Sequence, residues 1–238
     1  MKSINEQLNE LYASKWEALS EALLESVEGG APKKPQNPML LYVGDEKAWQ
    51  NADLRVMIFG QETNDWEGYF STDKPIAHLC DVYDRFFNKE GYRKHGGCFW
   101  NGVARLKKMI GEKFPQRQIS YLWNNIVKVG KAYEKGRPPK YMYDIERTLF
   151  RVIPDEVSIL KPNLAIFLTG NSYDNLIREN FGQVGYAAIP PFGEKQLARL
   201  SIPAAETLGS AFRTYHPGYL FRHGINAYFS AIIGEITL

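Results

Sequence analysis

The chain has 238 residues, 44% of them hydrophobic and 24% charged, with a formal net charge of +2. That length buries a sizeable core, and the composition excludes a disordered or fibrous chain. The near-neutral charge gives no general case for nucleic-acid binding, so any such case rests on local clusters.

In chain order, Leu8, Leu11, Trp16, Leu19 and Leu23 recur at helical spacing among acids and amides. They predict an amphipathic helix over residues 1–30, packed on the body of the protein. Gly29-Gly30 and the prolines of APKKPQNP end it, and residues 31–52 read as a linker and entry segment. The stretch VMIFG (56–60) is a short apolar run of the kind found in a covered parallel sheet. Further strands are expected at ISYLWNNIVKVG (119–130), Leu164–Leu168 and Ala211–Tyr215. Helical patterns fill the gaps: Trp100–Ile110, Tyr143–Leu160 with a break or restart at Pro154, Ser172–Asn180 with a capping serine, and Asn226–Ile236. Strands alternating with helices predict a three-layer α/β/α domain over 53–238, built on a four-stranded parallel sheet.

In such sheets ligands bind beyond the carboxyl ends of the strands. Those ends are polar here: Gly60-Gln61-Glu62, the Asn124-Asn125 pair with Lys128, Thr169-Gly170, and His216-Pro217-Gly218. Glu62 is suited to hold or activate a water. His216 is suited to donate to a developing anion. Asn125 is suited to read the edge of an amide-containing ring. Each of these, taken alone, also fits a structural role. Nucleotide-loop, esterase and zinc-protease motifs are missing. His78 and His95 lie far from the strand ends and read as structural. Cys80 and Cys98 form neither a CxxC pair nor a disulfide framework. No stretch reaches the roughly 18 apolar residues of a membrane span, and the first residues lack a signal-like apolar core. A cytoplasmic monomer, with no membrane partner, no metal and no cofactor, is the expectation.

GQET (60–63), NIVKV (125–129), ILKPNLAIFLTG (159–170) and TYHPGYLFR (214–222) together resemble the uracil-DNA glycosylase superfamily. One branch of that superfamily carries Gly-Gln-Asp-Pro-Tyr after its first strand. The bacterial and archaeal iron–sulfur branches carry Asn-Val-Val-Lys and a Thr-Tyr-His-Pro loop. The resemblance runs from about Asp53 to the C-terminus. It implies a four-stranded parallel sheet and hydrolysis of the N-glycosidic bond of a flipped base in single- or double-stranded DNA. By position, Glu62 and His216 become catalytic, and Gln61 and Asn125 contact the base. Phe70 stacks on that base, with Tyr69 or Trp66 as rivals. Tyr219, Leu220 and Phe221 would form a wedge in the vacated stack. Lys128 and Arg222, with Lys131, Lys135, Arg137 and Lys140, would meet the DNA backbone, as would Arg105, Lys107, Lys108, Lys113 and Arg117. The chain departs from the family at Glu62, Thr63 and Asn64, where an aspartate, a proline and a tyrosine are usual, and it lacks the four cluster cysteines. These departures support a second reading on the same fold: a non-catalytic module that binds a nucleobase, a nucleotide or nucleic acid.

Overall fold

The computed structural model describes residues 2–205 and 208–237. Helix α1 (Ile4–Glu28) opens on a capping box between Ser3 and Glu6. Its apolar stripe is buried at Leu8, Leu19 and Leu23, and the helix packs on α3 (Ile76–Tyr83), α5 (Lys140–Leu149) and α6 (Ile153–Leu160). The segment expected to link α1 to the rest is built into the body. Met39, Leu40 and Leu41 are wholly buried, and Pro35 and Gln36 make isolated bridges to Lys131 and Tyr69. The short α2 (Glu46–Asn51) follows, capped by the Asp45 side chain.

The sheet has six strands, in the order β2-β1-β3-β6-β5-β4. The four anticipated strands are β1 (Leu54–Gly60), β2 (Ile119–Asn125), β3 (Leu164–Phe167) and β6 (Ser210–Thr214), and they run parallel. Expecting only four was an undercount. β4 (Gly185–Ala188) and β5 (Leu197–Ser201) add antiparallel strands alongside β6. GYAA and LARLS are short and poor in β-branched residues, so neither announces itself; β5 is specified by the open edge of β6 that it covers. β2 is also shorter than the 119–130 run. After Asn125 the chain leaves the sheet, while the N–H groups of Ile126 and Val127 bond to the carbonyls of Gly60 and Gln61.

Side chains of β1 alternate between two cores, which is why the whole strand reads as apolar. Leu54, Val56 and Ile58 pack with α4 (Gly97–Lys113) and α9 (Ile225–Gly234). Met57 and Phe59 face the opposite layer, which holds α1, α3, α6 and α7 (Asp174–Phe181). The protein is thus mixed α/β, with a mostly parallel sheet flanked by helices on both faces. Pro154 restarts the 143–160 pattern by standing in the first turn of α6. Ser172 does not cap α7: it lies in a 3₁₀ turn, Asn171–Tyr173, and no side chain caps that helix. Asp174, in the first turn, instead bonds Arg213 of β6 at 2.9 and 3.1 Å. Among the described residues no helix is long and apolar enough to cross a membrane.

From β1 the chain passes to β2 on one side, then crosses to β3 on the other. The onward connections of the neighbours β1 and β3 therefore diverge, which opens a crevice at their carboxyl ends.

Candidate active site

β1 ends at Gly60, directly opposite Asn125 at the end of β2. A Cβ on Gly60 would fall 2.3 Å from the Asn125 Oδ1 and 3.1 Å from the Phe99 ring. Glycine is thus what lets the Asn125 amide cross the strand end. Its Oδ1 accepts from the Trp123 indole N–H at 3.2 Å. Its Nδ2 meets only the Met39 sulfur, at 3.8 Å, so donors of this amide are nearly unspent. Gln61 ties β1 to the end of β3: its Nε2 donates to the Thr169 carbonyl at 2.8 Å.

Glu62 accepts a 2.6 Å hydrogen bond from the Tyr173 hydroxyl, which arrives from the 3₁₀ turn after β3. Burial raises the Glu62 carboxyl above its ordinary range, while the Tyr173 bond and the Arg137 and Lys131 charges oppose that rise. Arg137 lies over the Tyr173 ring, 4.1 Å from its centroid, and donates to the Ser172 carbonyl. Tyr173 was not singled out by the sequence pattern, and Arg137, expected on a DNA backbone, lies against it. The clue was TGNSY, a polar strand end carrying an aromatic hydroxyl.

His216 joins β6 to the short α8 (Pro217–Leu220). Its Nδ1 accepts from the Gly218 N–H at 3.0 Å, which places the ring proton on Nε2. Burial lowers its pKa, so the ring is a neutral donor near pH 7. Phe99 stacks beside it at 5.6 Å and 22°. α4 reaches this close to α8 because Gly102 faces Pro217, where a Cβ would sit 2.6 Å from the proline ring.

Gln61, Glu62, Asn125 and His216 line one cleft of about 730 Å³. Its walls are aromatic: Trp66, Phe86, Phe99, Trp100 and Trp123. Phe86 and Trp66 meet edge to face at 5.5 Å. His95, read from sequence as structural, also lines the cleft, whereas His78 bonds Glu67 at 3.0 Å.

Four expected roles change. Phe70 is 3% exposed and packs against Trp16 beneath α1, outside the cleft; of its rivals, Trp66 lines the cleft and Tyr69 does not. The aromatic faces come from Trp66, Trp123 and the stretch FFNKEGYRKHGGCFW (86–100), which β1 does not announce. Lys128 is fully buried and cannot reach a DNA backbone. Its Nζ bonds Glu156 at 2.8 Å and the Asn124 Oδ1 at 2.6 Å. Leu220 is buried in the core beside α9 and cannot act as a wedge. Tyr219 is half-buried between Tyr215 and His223, at 4.2 and 4.0 Å, and does not line the cleft. Phe221 and Arg222 remain exposed. Several basic residues are also engaged internally: Arg117 with Asp53, Lys108 with Glu112, Lys140 with Asp144, and Lys107 over the Tyr121 ring at 4.9 Å.

No family model matches the chain, and no curated protein sequence matches it significantly.

Proposed function

We propose that the protein is a uracil-DNA glycosylase-like enzyme that hydrolyses the N-glycosidic bond of a base held in this cleft. One observation carries the reading: a half-buried carboxylate, a neutral imidazole N–H and a nearly unspent amide converge on one aromatic-walled cleft, from the ends of β1, β6 and β2. Aromatic walls suit a flipped, planar base. The Asn125 amide and the Gln61 carbonyl oxygen fit its polar edge. As the glycosidic bond breaks, its electron pair leaves with the base, and negative charge grows on a base oxygen facing the His216 Nε2–H. The sugar becomes oxocarbenium-like, and ionised Glu62 both favours that cation and orients the water that adds to C1′. The water proton passes to Glu62 or to solvent, leaving an abasic sugar and the free base.

The burial of Leu220 and Lys128 supports a second reading, because it removes two contacts that duplex DNA would use. On that reading the cleft holds a free nucleobase or nucleotide without chemistry.

The test is release of base from oligonucleotides carrying uracil, hypoxanthine, xanthine or a thymine mismatch, single- and double-stranded. Wild type should yield abasic product, and Glu62→Gln and His216→Ala should each lose roughly 100-fold or more. No product on any lesion, with nucleobase binding that Asn125→Ala weakens, would replace the enzyme with the binding module.

A further inference from the structure

Tyr69 and Tyr133 are two of the three large hydrophobic side chains exposed among the described residues, at 48% and 64%. They lie together, edge to face, with ring centroids 4.9 Å apart. Tyr133 holds φ at +57°, a region that bulky side chains rarely adopt. The pair is built rather than incidental. Asp65 accepts the Tyr133 backbone N–H at 3.1 Å. Gly68 gives up a side chain to admit the phenol, since a Cβ there would lie 2.6 Å from the Tyr133 hydroxyl. Lys34 stands over the Tyr69 ring at 5.5 Å.

The pair also adjoins the cleft. Asp65 and Glu67, which flank the Tyr69 side, and Lys135 and Gly136, which follow Tyr133, all line it. Beside it, Lys34 and Lys135 make no salt bridge among the described residues, whereas Lys131 and Arg137 act on the Glu62 carboxyl. Glu134 and Glu67 are already held, by Lys33 and His78. The patch therefore joins two exposed aromatic rings to two unpaired cations beside a pocket for one ring.

We propose that the Tyr69–Tyr133 pair is a stacking platform for single-stranded nucleic acid: the nucleotide next to the one in the cleft stacks here, while Lys34 and Lys135 follow its phosphates. Unpaired bases offer the ring faces that a duplex hides, and stacking of this kind tolerates sequence. The proposal rests on the nucleobase reading of the cleft only for where the strand continues.

The experiment is equilibrium binding of a fluorescein-labelled 12-nucleotide thymidine oligomer and of a hairpin duplex of the same composition class, by anisotropy at fixed salt. Tyr133→Gly is the informative variant, because glycine adopts φ +57° without strain and keeps the fold. It should weaken binding of the single strand about 5- to 150-fold and the hairpin little, and Tyr133→Phe should retain wild-type affinity. Equal single-strand affinity in wild type and Tyr133→Gly overturns the platform, as does a wild type that prefers the hairpin. Base release measured on the same wild-type preparation keeps the two readings apart. Platform binding without base release in wild type would sink the glycosylase alone.

Discussion

Asn124 and Asn125 are consecutive at the end of β2, yet they serve opposite polar regions. Asn124 points into a sealed network. Its Oδ1 accepts from Lys128 and from the Asn125 N–H, and its Nδ2 donates to Glu156 at 2.8 Å. Glu156 also accepts from the Tyr12 hydroxyl at 2.7 Å, and that hydroxyl accepts the Leu41 N–H. Beside it, Glu146 takes the N–H groups of Lys128 and Val129, and burial pushes its carboxyl up to about 7. Every charge there meets a partner. Asn125 points into the cleft, where Glu62, Gln61 and His216 each keep hydrogen-bonding capacity unspent. The contrast teaches that polar residues around one strand end can serve either the fold or a ligand, and that the tally of internal partners distinguishes the two.

The largest expected effect separates the two regions by stability. Lys128→Met leaves the Glu156 carboxyl buried without its cation, and should cost about 3–5 kcal/mol in denaturant unfolding. Glu62→Gln should do the reverse. Burial raises the Glu62 carboxyl in the folded state, so its contribution to stability declines as pH rises toward that raised value, and above it the full cost of holding the charge is present. Removing the charge should therefore leave stability equal or higher at pH 8, while base release falls. A Glu62→Gln protein destabilised as much as Lys128→Met would move Glu62 into the structural class.

Gly60→Ala sharpens the contrast next. Its Cβ would collide with the Asn125 Oδ1, whereas the sealed network behind lies untouched. Base release or nucleobase affinity should fall roughly tenfold or more, with a stability loss of about 1–2 kcal/mol; thermal unfolding and binding measured together check both. The smallest expected effect is Tyr173→Phe. The hydroxyl holds the Glu62 carboxyl down, so its loss should raise that pKa further. Activity requiring ionised Glu62 should then begin at higher pH, with the plateau changed less than the midpoint. An unchanged acid limb of the pH–rate profile would remove Tyr173 from this role.

The parallel strands and the positions of Gln61, Glu62, Asn125 and His216 at their carboxyl ends were legible in the chain, because a strand buried on both faces must be apolar throughout. A polar residue at its end is then conspicuous. Phe70, Lys128 and Leu220 were misplaced for the opposite reason. An aromatic, a lysine or a leucine after a strand has no periodicity to say which way it turns, and each was turned inward by neighbours distant in the chain: Trp16, Glu156 and α9. The antiparallel pair β4–β5 was hidden likewise, since an edge strand is specified by the open edge it covers. By itself, then, the sequence determined the layered fold and the end of the sheet that carries the cleft, through local patterns of burial. Only the tertiary structure decided which polar groups stay unspent, which aromatics wall the cleft, and that Tyr69 and Tyr133 meet beside it. Those depend on contacts between segments that no local pattern encodes.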